Sequence, residues 1–233
     1  MTALMARWRV MQLTEPPRLQ PPTTAVRESW LAAERAYVAE TGASTVLLGR
    51  GIADFAGLAA ERQGTLTMWA VPTTIYWYVS GEHYLGELVI RHKLTPALSR
   101  SGGHIGYSVA AAWRRQGHAT AMLAAALVEC RRLGLSRVLI TCDPGNIGSR
   151  KVILANGGVP DGQSDGEDRF WITLADGGRP GSRSNATRPG SGGSASTSRR
   201  SRARHAGSSG SRKSIVPLAD PTSEAEYVWP LKI

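Results

Sequence analysis

The sequence predicts a mixed α/β fold, with a central and mostly antiparallel sheet flanked by helices, followed by a disordered C-terminal tail. Two observations carry this. Strand-like and helix-like runs in the second half follow one another as strand, strand, strand, helix, strand, helix, strand, an order that an all-parallel doubly wound sheet does not produce. The composition also changes abruptly near residue 177, so the 233 residues divide into a body, 1–176, and a tail, 177–233.

Taken in chain order, Trp8–Leu13 is a short strand candidate. Pro16, Pro17, Pro21 and Pro22 make 14–22 a loop, because proline fixes φ and lacks a backbone donor. Thr23 and Thr24 offer N-caps to a helix whose Val26, Trp30, Ala33 and Tyr37 form a stripe at helical spacing. A second helix covers Ile52–Glu61. Two β-rich runs, 74–79 and 84–92, are joined by the turn-like Ser80-Gly81-Glu82, and Pro96 closes the pair. His104–Ala111 is a third strand. The helix at 119–134 buries Met122, Leu123, Ala126, Leu127 and Cys130 and ends at Gly134. A buried strand over 137–143, a helix over 149–158 closed by Gly157-Gly158, and a strand over 168–174 complete the body.

Composition narrows the class of function. At 42% hydrophobic residues the body can bury a core, and no apolar run approaches the roughly 18 residues that span a membrane, so no membrane association is expected. The N-terminus lacks the apolar stretch of a signal peptide. Cys130 and Cys142 are too few for a disulfide framework or a metal cluster, so no metal is expected and a reducing cytoplasm is. The formal charge of +10 is uneven: the tail carries ten bases against three acids, or +7, and the body eighteen against fifteen, or +3. Twelve serines and eight glycines in 57 residues leave the tail too little apolar surface to offset its chain entropy. It has no aromatics before Tyr227 to stack on bases, which argues against a nucleic-acid partner despite its arginines. The last ten residues, EAEYVWPLKI, are apolar enough to dock on a surface.

The chemistry sits between the strand at 104–111 and the helix that follows. Arg114-Arg115-Gln116-Gly117-His118-Ala119-Thr120 places small residues, two arginines and free helix N–H groups in one turn. That is an anion site suited to a pyrophosphate. It is neither a Walker A loop nor a three-glycine dinucleotide fingerprint.

The segment order and the runs YW at 76–77, IRHKL at 90–94, GGHIGY at 102–107, LITCD at 139–143, NIGSRKVI at 146–153, NGG at 156–158 and RFWI at 169–172 resemble a subgroup of predicted bacterial acetyltransferases in the GNAT superfamily. The resemblance covers about residues 66–175. It implies an acetyl-CoA-dependent N-acetyltransferase in which an amine attacks the thioester directly, within a ternary complex and without a covalent acyl-enzyme. Arg114, Gly117 and Ala119 match that family's pyrophosphate loop, a Gln/Arg-x-x-Gly-x-Gly/Ala pattern. Tyr107, Ser108 and Val109 would lie along the pantetheine arm, Arg115, Gln116, His118 and Thr120 around the pyrophosphate, and Asn146 after the next strand.

Such a reaction needs alignment of two substrates, oxyanion stabilisation, a base for the ammonium and an acid for the thiolate. Many relatives use a Tyr on the last helix as the acid; the matching position here is Ile153, which leaves Tyr107, another group or water. Strand position nominates His104, Glu87 and His92 for the base, and a His pKa near neutrality suits the task. Cys142 and Cys130 read as small core hydrophobes. The acceptor is expected to be a small-molecule or peptide amine, and a homodimer stays open. Two alternatives stand beside this reading: an acyl-CoA-binding module without chemistry, motivated by Ile153, and a nucleic-acid-associated protein acting through the tail.

Overall fold

The computed structural model describes residues 13–174. The tail, its apolar last ten residues and most of the expected strand over Trp8–Leu13 lie outside them. Eight strands and six α-helices follow one another among the described residues: β1 (Arg18–Gln20), α1 (Arg27–Thr41), α2 (Val46–Ala53), α3 (Phe55–Glu61), β2 (Thr65–Met68), β3 (Val71–Ser80), β4 (His83–Arg91), α4 (Pro96–Arg100), β5 (Ile105–Val109), α5 (His118–Arg132), β6 (Arg137–Cys142), α6 (Ile147–Ala155), β7 (Val159–Ser164) and β8 (Glu167–Thr173).

The strands form two sheets. One has the order β1-β3-β4-β5, with β2 sharing the outer edge of β3, and the other the order β6-β8-β7. Every ladder is antiparallel. The first sheet is covered on both faces, which is why β4 is buried along nearly its whole length instead of alternating. On one face Leu88, Ile90, Ile105, Tyr107 and Val109 pack against Met122, Leu123, Ala126 and Cys130 of α5. On the other, Ile75, Trp77 and Val89 meet Trp30 and Leu31 of α1 and Phe55 of α3. Trp77 stacks on Trp30 at 6.2 Å and meets Tyr84 edge-on at 5.5 Å, so the α1 face is fixed by aromatic packing.

The start of β5 is bonded to the second sheet at Leu139. The His104 N–H donates to the Leu139 carbonyl at 2.7 Å, and the Leu139 N–H donates to Nδ1 of the His104 ring at 2.9 Å. Gly103 makes this approach possible. Its φ is +59°, and a Cβ there would lie 2.4 Å from the Leu139 oxygen. Beyond this staple β5 and β6 belong to different sheets and share no ladder.

Several expectations are corrected. Residues 14–22 are not all loop, because Arg18–Gln20 pair with Trp77–Val79 as an edge strand, a position that tolerates flanking prolines. The helix expected over Ile52–Glu61 is broken at Asp54: Ile52 and Ala53 end α2, which starts at Val46 and was otherwise not expected, and the Asp54 Oδ1 accepts from the Gly57 N–H at 2.8 Å to cap α3. Pro96 does not merely close a strand. It opens α4, with the Thr95 hydroxyl accepting from the Leu98 N–H. Strands β2 and β7 were not expected at all.

Candidate functional site

Helix α5 begins without a side-chain cap. Its N-cap, Gly117, has φ +85°, a conformation that a side chain rarely adopts, and leaves the first-turn N–H groups to whatever approaches. By contrast α4 and α6 are capped by the Thr95 hydroxyl and the Asn146 carboxamide. In front of the uncapped turn lies a cavity of about 180 Å³. Val109 and Trp113 form one side, Arg114, Arg115, Gly117, His118, Ala119 and Thr120 the helix end, and Gly148, Lys151 and Val152 of α6 the opposite wall. Arg115, Lys151 and a helix N-terminus without a side-chain cap around one cavity are a setting that suits an anion. Desolvation holds the His118 pKa below its usual value.

Most of the expected cofactor residues therefore converge. The exceptions are informative. The Gln116 side chain folds back to donate to the Ala112 carbonyl at 3.0 Å. Asn146 caps α6, its Oδ1 accepting from the Ser149 N–H at 2.9 Å. Ser108 faces the opposite side of the sheet. Arg114 borders the cavity with its guanidinium already engaged: Nε donates to the Val109 carbonyl at 3.1 Å, and one terminal nitrogen reaches both Glu40 carboxylate oxygens at 2.8 and 2.9 Å.

A second cavity, of about 50 Å³, opens on the α1 face of the same strand end. Ala33, Glu34 and Tyr37 of α1 line it with Tyr84 of β4, Ser108 and Val109 of β5, Ala110, Ala111 and Arg114. Val109 and Arg114 border both cavities. Burial pushes the Glu34 pKa from 4.5 to about 7, helped by the Glu87 charge and opposed by Arg62. Glu87 itself is deep in the sheet, where its Oε2 accepts from the Trp77 indole N–H at 2.7 Å; burial raises its pKa, against the pull of Arg62 and of that hydrogen bond.

Of the residues nominated from the sequence, Glu87 lies behind this second cavity and His104 and His92 line neither one. The His104 ring is spent on the sheet junction, and desolvation together with Arg91 and Arg137 lowers its pKa to about 4. His92 bonds the Thr74 hydroxyl at 2.9 Å, beyond the far end of β4. Tyr107 is fully buried, its hydroxyl 2.9 Å from the Ser149 hydroxyl, and burial raises its pKa well above the usual phenol value. Ile153 is buried in the core. The Cys142 and Cys130 thiols are buried and pushed up to about 11 and about 12, which suits packing rather than nucleophilic attack.

Sequence reasoning passed over Glu34, Ser149 and Lys151. The one available signal for Glu34 was its place four residues after Trp30, an acid bordering an apolar stripe. Among the described residues no group of three His, Cys, Asp or Glu side chains could hold a metal ion, and no helix is long and apolar enough to cross a membrane.

Comparison with known proteins follows the same lines. A family model described as an acetyltransferase (GNAT) domain matches residues 1–159. No curated protein sequence matches the chain. Among solved structures, RimJ of Mycobacterium smegmatis in complex with CoA-disulfide is 22% identical, with 67% of this chain and 81% of the other covered and a TM-score of 0.50. The GNAT domain of PAT from S. lividans is 16% identical over 68% and 90% of the two chains, with a TM-score of 0.46. An acetyltransferase from Agrobacterium tumefaciens is 17% identical over 70% and 92%, with a TM-score of 0.42.

Proposed function

The chain belongs to the GNAT acetyltransferase family, and from that premise we propose that it transfers the acetyl group of acetyl-CoA to a primary amine by direct attack in a ternary complex. The observation that supports this best is the meeting of two unlike cavities at one strand end. A cationic one lies on the α5 face and one with a carboxylate on the α1 face, and Val109 borders both. A thioester laid along the end of β5 from the first cavity faces an amine held in the second.

In this reading the uncapped turn at Gly117–Thr120 binds the pyrophosphate of acetyl-CoA, with Arg115 and Lys151 adding charge. Glu34 receives the proton that the ammonium must lose before its lone pair can attack the carbonyl carbon. A carboxylate with a pKa of about 7 accepts that proton near neutral pH and still releases it. The C–N bond forms, the C–S bond breaks, and coenzyme A leaves as a thiolate. In this reading the proton that returns to the sulfur, which Ile153 cannot give, comes through the Tyr107–Ser149 hydroxyl pair, buried beside the first turn of α6. Alignment of the two substrates accounts for most of the expected acceleration.

Thiol release with acetyl-CoA and a panel of primary amines tests the reading, with acetyl-CoA binding followed in parallel by calorimetry. Amine-dependent thiol release is expected. A folded protein that does not bind acetyl-CoA refutes the proposal.

A further inference from the structure

One wall of the anion cavity carries a titratable ring with no part in the transfer chemistry. His118 is the first residue of α5 and lines the cavity beside Gly117 and Ala119. Among the described residues neither nitrogen of its ring has a hydrogen-bond partner. The His104 and His92 rings, by contrast, are bonded to the Leu139 N–H and to the Thr74 hydroxyl. What holds the His118 ring is aromatic packing: it meets Trp113 edge-on at 5.9 Å and Tyr78 edge-on at 6.2 Å. An imidazole fixed in this way, on a cavity wall and with both nitrogens idle, is placed to serve a ligand.

Its surroundings set its charge. Arg115 and Lys151 share the cavity wall, and Arg114 is paired with Glu40. No acidic residue is among those lining the cavity, and none stands in the first turn of α5. Of the two rings against it, Trp113 does not ionise, and burial raises the Tyr78 pKa, so both are neutral. His83 lies beyond Trp113, 5.5 Å from that indole. Desolvation holds the His118 pKa below its usual value, and the positive end of α5 acts in the same direction. The imidazole is therefore neutral at pH 7 before an anion enters. A pyrophosphate brings two negative charges beside it and reverses that balance.

We infer that His118 takes up a proton as acetyl-CoA binds and, as an imidazolium, donates a hydrogen bond to a phosphate oxygen of the coenzyme. This rests on the acetyl-transfer reading above. The proton comes from solvent and returns to it when coenzyme A leaves, and no other bond forms or breaks. The sign follows from the anion, which raises the histidine pKa in the complex. The added affinity is complete below the pKa of the free protein and is lost as pH rises through that of the complex. Binding and chemistry then respond to pH in opposite directions, because Glu34 works only when ionised. Lower pH tightens acetyl-CoA and slows transfer.

The test uses the full chain and acetyl-CoA. Calorimetry in two buffers of different ionisation enthalpy counts the protons taken up on binding, for the wild type and for His118→Gln. Glutamine keeps an N–H donor and does not titrate, and the coenzyme's own phosphate titration is common to both proteins and cancels in the difference. The wild type should take up about half a proton more than the variant at the maximum between pH 5.5 and pH 7. From pH 5.5 to pH 8 its Kd should rise about fivefold beyond any rise in the variant. His83→Gln, which changes the other imidazole against Trp113, should keep the wild-type uptake. Proton NMR of the wild type needs no variant: the His118 titration midpoint should move to higher pH when acetyl-CoA saturates the protein. Equal uptake and equal pH dependence in wild type and His118→Gln overturn the inference, as does loss of the uptake in His83→Gln or a midpoint that does not rise. Each of these leaves acetyl transfer intact. Failure to bind acetyl-CoA at any of these pH values instead overturns the reading beneath it.

Discussion

Replacing Glu34 by Gln removes the proposed base and little else, since the amide has the same size and the residue is already half-buried. General-base catalysis contributes about 100- to 10,000-fold, so kcat should fall by that range. The pH dependence is the sharper measurement. With its pKa at about 7, Glu34 is about nine-tenths carboxylate at pH 8 and about one-tenth at pH 6, so the base-dependent rate falls about tenfold across that interval. The sign follows from the direction of the shift: the group works when ionised, burial raises its pKa, and activity is lost as pH drops through 7. Ionisation of the free amine has its own pH dependence, so the quantity to plot is the ratio of wild-type to Glu34→Gln kcat, in which that dependence cancels. The ratio should rise about tenfold from pH 6 to pH 8 and then level. Glu87→Gln keeps an oxygen for the Trp77 indole N–H but removes the charge that helps raise Glu34, so the acid limb should move to lower pH. A ratio that stays flat from pH 6 to pH 8 refutes the assignment of Glu34.

Three further outcomes are expected. Gly117→Val forces a β-branched residue to φ +85° at the mouth of the anion cavity, and the acetyl-CoA Kd, measured by calorimetry, should rise more than tenfold. Ser149→Ala leaves the Tyr107 hydroxyl without its 2.9 Å partner, and kcat should fall about tenfold or more with the amine KM little changed. An unchanged kcat excludes the hydroxyl pair as the proton source. Gly103→Ala sets a methyl group 2.4 Å from the Leu139 oxygen at a φ of +59° and should cost about 2–4 kcal/mol, read as a lowered thermal midpoint.

What the sequence revealed and what it hid have physical causes. The α5 helix was legible because Met122, Leu123, Ala126, Leu127 and Cys130, all buried, repeat with the helical period and Gly134 marks its end. The turn before α5 was legible because Gly117 stands between a strand pattern and a helical one, where a glycine serves as N-cap. Strand β7 was illegible because VPDGQS is exposed almost throughout and carries no alternation to detect. The acceptor side was hidden for a different reason. Glu34 and Ser108 are 74 residues apart, and only the packing of α1 on the sheet brings them to one cavity. His104 illustrates the converse: a histidine on a strand next to the site invites a catalytic role, but its ring closes the junction between two sheets through a bond to a backbone N–H that no sequence pattern announces.

Arg114 changes meaning most between sequence and structure. The family pattern allows Gln or Arg at this position, and the loop context suggests a charge for the pyrophosphate. Its guanidinium instead holds the Val109 carbonyl and the Glu40 carboxylate, so it ties the last turn of α1 to the strand end that the two cavities share. The net charge of the pair is zero, and the field at the anion cavity comes from Arg115, Lys151 and the end of α5. Arg114→Gln keeps a donor for the Val109 carbonyl and discards the ion pair. A partly exposed pair of this kind is worth about 1 kcal/mol at most, or roughly fivefold in an equilibrium. The variant should therefore leave the acetyl-CoA Kd within about threefold and raise the amine KM by up to about fivefold, because Glu34 and Tyr37 ride on the helix that loosens. A tenfold or greater rise in the acetyl-CoA Kd with an unchanged amine KM means that the guanidinium leaves Glu40 for the phosphates when acetyl-CoA binds, and the coupling between the two cavities then runs through the ligand rather than through the ion pair.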